Sequence, residues 1–176
     1  SPRHRVMTLE RLADREAIER LVGNKQHKCW RKSKLTLKRS DGMSIADWFG
    51  RHRAEDRIRL VQTSILEGHP WSPLLRVLIP KGPGSDDRRP IDMPTVLDAA
   101  RLVRLHEWLA GYAETILTKV AVGFRQGRAM GDLVKGVHSM MVARGLWFGT
   151  VIDIQGFYDN LSWSRLDRLI EGLPAN

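Results

Sequence analysis

Cysteine is almost missing from this chain: Cys29 is the only one. A single thiol closes no internal disulfide and seeds no zinc cluster, so a disulfide scaffold and a Cys-rich zinc module are both excluded. That usage points to a reducing, intracellular compartment. Long apolar runs are missing too, since nothing approaches the ~20 residues that cross a bilayer. The start, Ser1-Pro2-Arg3-His4-Arg5, is not followed by the apolar core of a secretory signal. A cytoplasmic protein without a membrane partner is expected. Internal repeats, low-complexity tracts and flexible linkers are also lacking.

What is present is basic charge on an otherwise ordinary globular composition. The 176 residues are 42% hydrophobic and 28% charged, enough for one domain or for two lobes sharing a core. The net charge is +9. Such a surface meets polyanions, unless it serves solubility alone. Its distribution is uneven: residues 24–39 hold seven Lys or Arg, no acid, and Trp30. Cations there neutralise phosphates and an aromatic stacks on a base; the alternative is a solvated loop. The candidates in this stretch are Lys25, Lys28, Trp30, Arg31 and Lys32.

Periodicity sets out the elements. Leu9, Ala13, Ala17 and Leu21 predict an amphipathic helix over 8–22. Residues 44–67 read as one or two helices with Ile45, Trp48, Phe49, Ile58, Val61 and Ile65 inward, ended by Gly68 and Pro70. A β-type run over 72–80 and a short returning strand over 88–93 flank the Gly/Pro loop 81–87, which predicts a hairpin with a long connection. Pro94 opens the next helix, with Thr95 as N-cap and Asp98 at the capping-box position. Its apolar stripe is Leu102, Leu105, Leu109, Tyr112, Ile116 and Val120. After the break at 123–128 a helix is expected over 129–144, with Met130, Val134, Val137 and Met141 on one side. Residues 147–154 read as a buried strand by composition, and a last helix begins near Ser162.

Within that strand stands Asp153. A buried carboxylate is costly unless paired or bound to a metal, and no basic residue lies within six positions of it. Either a distant arginine pairs with it, or it seats a hard cation such as Mg²⁺ at a strand end, with phosphate oxygens completing the shell. Two-metal nucleotidyl transfer needs carboxylates beside the primer end. A backbone carbonyl in the following turn, that of Ile154, can touch a metal as well. Five residues on, the ring of Tyr158 can lie under the sugar and leave no room for a 2′-hydroxyl, which would select deoxyribonucleotides.

The stretch DIQGFYDN, residues 153–160, resembles the first catalytic motif of reverse transcriptases, especially the group II intron and related bacterial type. Upstream, LIPK at 78–81 followed by RPIDMPTVLD at 89–98 resembles the family's fingers block, and GFRQGRA at 123–129 resembles its Gly-Phe-Arg-Pro-Gly-Arg-Ser block. Residues 41–44 and 65–73 look like its N-terminal fingers. The likeness covers about residues 40–165 in the right order. Gln126 stands where the family has Pro, Ala129 where Ser is common, and Ala99-Ala100 where Arg-Ile is usual.

The resemblance implies an α+β chain: right-hand polymerase fingers over 1–93 and a partial palm over 94–176, mostly helical with a small antiparallel sheet. It implies RNA-directed DNA synthesis with Mg²⁺ (or Mn²⁺), an RNA template, a DNA or RNA primer and deoxynucleoside triphosphates. Asp153 and the carbonyl of Ile154 would hold metal, and Asp153 would be catalytic. Lys81 and Arg89 would close on the triphosphate, their alternative being a solvated hairpin. Phe157 would be core or a second wall of the sugar pocket beside Tyr158. Arg125 and Arg128 would touch template or primer backbone, or else cap a helix or form ion pairs. Asp159 and Asn160 would cap the following helix. The family's second motif, aromatic-x-Asp-Asp, is not found in the 23 residues after Asp153. The chain alone is therefore expected to be inactive, the rest of palm and thumb coming from the same gene or a second chain. A non-catalytic, maturase-like RNA-binding module and a reverse-transcriptase-like defence or interaction protein are the alternatives.

Overall fold

The computed structural model describes residues 8–23, 30, 36–118, 120–123, 125, 127–158 and 160–171, without the side chain of residue 170. The fold is α+β, mostly helical with one two-stranded antiparallel sheet among the described residues. No helix among them is long and apolar enough to cross a membrane. Compactness divides the chain between Leu109 and Ala110. The two units are described separately.

The first unit opens with α1 (Leu9–Leu12) and α2 (Arg15–Val22). The single helix expected over 8–22 is thus two. Asp14 interrupts it, because its carboxylate accepts the amide of Ala17 at 2.8 Å and starts a new helix there. This is the usual competition between a short polar side chain and the backbone ladder. After the turn at 39–43 come α3 (Ile45–Arg51) and α4 (Ala54–Leu66). Ser44 caps α3 through a reciprocal box: its hydroxyl accepts the Asp47 amide at 3.0 Å, and the Asp47 carboxylate accepts the Ser44 amide at 3.0 Å.

The apolar stripes of these helices meet in one core. Ile18, Leu21, Val22, Trp30, Ile45, Trp48, Ile58, Val61, Val96 and Ala100 are all buried, with Phe49 packed against them. Burying each large side chain there contributes about 1.5–3 kcal/mol. Trp30 is part of this core, only 2% exposed, and its indole N–H donates to the carbonyl of Leu21 at 2.8 Å. Its ring meets Phe49 edge to face at 6.0 Å.

Two arginines tie helix ends together inside this unit. Arg57 is buried without a carboxylate partner among the described residues; it donates to the carbonyls of Val22 at 2.7 Å, Gly23 at 2.8 Å and Phe49 at 3.3 Å, and to that of His52. These are the ends of α2 and α3, where carbonyls lack helical partners and the dipole favours a cation. Its guanidinium also lies 4.6 Å from the centre of the Phe49 ring. Arg104 does the same for α1, donating to the carbonyls of Leu12 and Arg11 at 3.1 Å each.

Strands β1 (Leu75–Pro80) and β2 (Arg88–Met93) form the hairpin expected from the sequence, with Leu75 opposite Met93 and Pro80 opposite Arg88. The Lys81 amide continues the ladder by donating to the Asp87 carbonyl at 2.9 Å. The base of the hairpin is fastened by Asp98, which is 2% exposed. Its carboxylate accepts the Ser72 amide and the Thr95 hydroxyl at 2.9 Å each, and an Arg101 N–H at 2.9 Å. Burial pushes this carboxyl up, but those hydrogen bonds outweigh it and hold Asp98 below the usual carboxylate range.

Helix α5 (Val96–Ile116) has the expected period but not the expected buried stripe. Val96, Ala100, Arg101 and Arg104 are buried, whereas Leu102, Leu109, Ile116 and, past the helix end, Val120 are exposed. A period of 3.6 marks every stripe alike. Which one is buried depends on what it meets: Arg104 serves the carbonyls at the end of α1, and Arg101 the Asp98 carboxylate and the His69 carbonyl.

The second unit contains the end of α5, α6 (Met130–Arg144) and α7 (Trp163–Glu171). Gly145 ends α6 at φ 60°, a left-handed position that suits glycine, and the Leu146 amide reaches back to the Met141 carbonyl at 2.9 Å. Met130, Val134 and Val137, which share one side of α6, are exposed. The expected strand over 147–154 is absent: those residues have no regular structure, and Phe148 and Val151 are 97% exposed. A strand needs a ladder partner, and none of the described residues offers one. β-type composition therefore remains unexpressed here.

Candidate functional site

Four of the sequence-derived residues fall on the stretch 153–158. Asp153 is exposed rather than buried, because the strand that would have enclosed it does not form. Its carboxylate makes no hydrogen bond or ion pair with the described residues, so it is not locked against an internal arginine. Ile154 is 62% exposed beside it. The chain then turns at Gly156, whose φ is 60° and where an added Cβ would stand 3.0 Å from the Asn160 amide nitrogen. Asn160 closes the turn: its side-chain amide donates to the Gly156 carbonyl at 2.9 Å, and its backbone amide to the same oxygen at 3.1 Å. This replaces the helix-capping role expected of Asn160. The next helix starts instead from Ser162, whose carbonyl accepts the Leu166 amide at 3.0 Å. Asp159 lies outside the described residues.

Phe157 and Tyr158 are neighbours in space as in sequence, their rings edge to face at 5.3 Å. Both are exposed, Tyr158 at 76% and Phe157 at 47%. Phe157 is thus not a core residue. The pair forms an aromatic ledge a few residues past a free carboxylate. Among the described residues no three His, Cys, Asp or Glu side chains gather as a metal cluster. One exposed carboxylate suits a cation that keeps most of its own waters or phosphate oxygens, as Mg²⁺ does.

Lys81 and Arg89 belong to the hairpin of the first unit. The register pairs Ile79 with Arg89, and the ladder contact pairs residue 81 with 87. Side chains two apart in a strand share a face, so residues 81 and 89 stand in one column. Both are exposed, and Lys81 lies 3.5 Å from the Asp87 carboxylate. An exposed pair at that distance is weak and exchangeable. Lys81 therefore remains open to a competing anion. On the opposite face Arg76 holds Asp92 through two contacts of 2.8 and 2.9 Å.

The nucleic-acid candidates separate. Trp30 is a core residue with no free face for a base, which corrects the stacking role expected of it. The basic run around it predicted an exposed ring, but the Leu21 carbonyl and Phe49 bury it. Lys25, Lys28, Arg31 and Lys32 lie outside the described residues. Arg125 takes the ion-pair and capping alternative. It grips Glu114 at 2.7 and 2.6 Å and donates to the carbonyls of Thr118 and Ala121 at 2.7 Å each. This holds the chain past the end of α5. Its side chain is 6% exposed, and four of its five N–H donors are spent inside the unit. The Arg125 hydrogen bonds hold Glu114 below the usual carboxylate range. Arg128 stays exposed.

One residue that periodicity and motif had not singled out is Trp71. Its ring lies 4.0 Å from the Arg101 guanidinium, yet it keeps 54% of its surface in solvent. Nothing in the sequence distinguishes it from a core tryptophan; only exposure does. Compared with models of known protein families and with curated proteins, the chain matches none.

Proposed function

We propose that this chain is the fingers and first palm segment of an RNA-directed DNA polymerase of the group II intron or related bacterial type. Its share of the work is to bind template RNA and the incoming deoxynucleoside triphosphate with Mg²⁺. The observation that carries the reading is the sequence block DIQGFYDN at 153–160 standing downstream of IPK and RPIDMPT in the family's order. Supporting it, Lys81 and Arg89 share one face of an exposed hairpin. Asp153 is a carboxylate without a partner among the described residues, with two adjacent rings four and five residues on.

In this reading the Asp153 carboxylate and the Ile154 carbonyl hold the cation, which supplies charge neutralisation for phosphoryl transfer. Lys81 acts as a point charge and Arg89 as a bidentate fork on the triphosphate. Tyr158 places its ring against the sugar at C2′ and excludes the ribose hydroxyl. Catalysis requires a second carboxylate pair, brought by an aromatic-x-Asp-Asp segment of the complete polymerase.

The test is primer extension on an RNA template by the polymerase assembled with such a segment. Asp153→Asn should abolish extension while leaving RNA binding intact. Normal extension by that variant would show that the carboxylate holds no catalytic metal. A non-catalytic RNA-binding module remains the second reading, favoured by the basic charge. It predicts RNA binding without extension under any assembly.

A further inference from the structure

We propose that Trp71 is a stacking platform for a base of single-stranded nucleic acid, with Lys38 and Arg39, on the turn that meets its segment, as phosphate contacts. Calling that strand the template rests on the polymerase reading; the platform itself does not.

Three observations in the first unit lead there. The first is the ring's mounting. Arg101 covers one face of Trp71 at 4.0 Å, and Arg101 is itself fixed, donating to the Asp98 carboxylate at 2.9 Å and to the His69 carbonyl at 2.7 Å. Arg101 is 8% exposed and Asp98 2%, so the mount is rigid. The second is the ring's freedom. Although one face is covered, 54% of the residue stays in solvent, which leaves the other face open. A tryptophan so exposed costs solubility and contributes no core packing, while a fixed, half-open ring is what base stacking uses, independent of sequence. The third is the neighbouring charge. The Ser40 hydroxyl donates to the Pro73 carbonyl, bringing the turn after Lys38 and Arg39 against the segment that carries Trp71. Arg39 also donates to the Pro94 carbonyl at 3.4 Å, while its Nε, buried, finds no acceptor among the described residues. Neither cation forms an ion pair with a described carboxylate. An aromatic plate on a segment that meets a basic turn fits a strand that offers bases and phosphates together. An acidic protein segment would use the cations and leave the ring idle.

The experiment measures binding of the whole chain to a fluorescent 12-mer oligouridine, to oligothymidine and to an abasic oligodeoxynucleotide of equal length. Trp71→Ala should weaken binding to both base-bearing strands by about tenfold or more and leave the abasic strand unaffected. Trp71→Phe should recover most of the loss. Lys38→Gln should weaken all three and lower the salt slope by about 0.7. Trp71 is exposed, so Trp71→Ala should keep the parent's thermal melt, which checks that the variant is folded. Equal affinity of Trp71→Ala and the parent for the base-bearing strands overturns the platform. Equal losses on the abasic strand overturn it too, since the ring would then act through charge placement or protein contact. Primer extension separates the two proposals: an assembled polymerase that extends no primer sinks the polymerase reading and leaves the platform standing.

Discussion

Asp98 and Arg101 form an ion pair at 2.9 Å with their side chains only 3% and 8% exposed. The same carboxylate holds the Ser72 amide and the Thr95 hydroxyl, so one acid secures both the approach to β1 and the exit from β2. Removing one partner of such a pair strands the other in a dry site. Asp98→Asn is expected to cost about 3–5 kcal/mol in urea unfolding and to raise hydrogen exchange at the Ser72 amide. The folded Asp98 carboxyl lies below its ordinary value. Its contribution is therefore full above the unfolded value of about 3.9 and is lost as pH falls through the lower folded value. Parent and variant stabilities should converge on acidification through that window. A gap independent of pH would show that Asp98 acts through shape alone.

Trp30 and Trp71 should behave in opposite ways. Trp30→Ala leaves a cavity and an unpaired Leu21 carbonyl, and should cost about 3–5 kcal/mol. Its nucleic-acid affinity, measured where the variant remains folded, should match the parent. A base-dependent loss of affinity in folded Trp30→Ala would return this ring to the binding surface.

Arg125 and Arg128, three residues apart in one block, should part company. Arg125 spends its donors on Glu114, Thr118 and Ala121. Arg125→Gln should thus hasten proteolysis near residues 118–128 and leave the salt slope of RNA binding unchanged. Arg128 is exposed, and Arg128→Gln should lower that slope by about 0.7 if it meets a phosphate. A lowered slope for Arg125→Gln in a chain that resists protease equally would show that its internal bonds open on binding.

Tyr158 offers its ring to solvent beside Phe157, so its replacement should leave the melting curve in place. In the assembled polymerase, Tyr158→Ala should raise ribonucleotide use relative to deoxyribonucleotide use by about tenfold or more. Tyr158→Phe should keep the parent preference, since the plate is retained. An unchanged ratio for Tyr158→Ala would place sugar discrimination elsewhere.

Local signals settled much of this protein by themselves. Ser44 and Asp47 specify a helix start through their own side chains, and the structure uses both. The two β-type runs around a Gly/Pro loop specify a hairpin, because pairing of strands adjacent in sequence is a local event, and its register is observed. The inward residues of α3 and α4 followed from spacing alone. Tertiary structure decided what spacing leaves open. Trp30 and Trp71 are the same residue type, but one is sealed against Phe49 and the other is left open on Arg101. Arg57, Arg101, Arg104 and Arg125 count equally in the net charge, but their donors go to carbonyls and acids inside the fold. Residues 147–154 have the composition of a strand but lack a ladder partner among the described residues, so Asp153 stands in solvent rather than in a sheet. Caps, turns and periods act within a few residues and are written in the sequence. Burial, pairing and the spending of charge depend on partners far along the chain, and only the folded molecule chooses them.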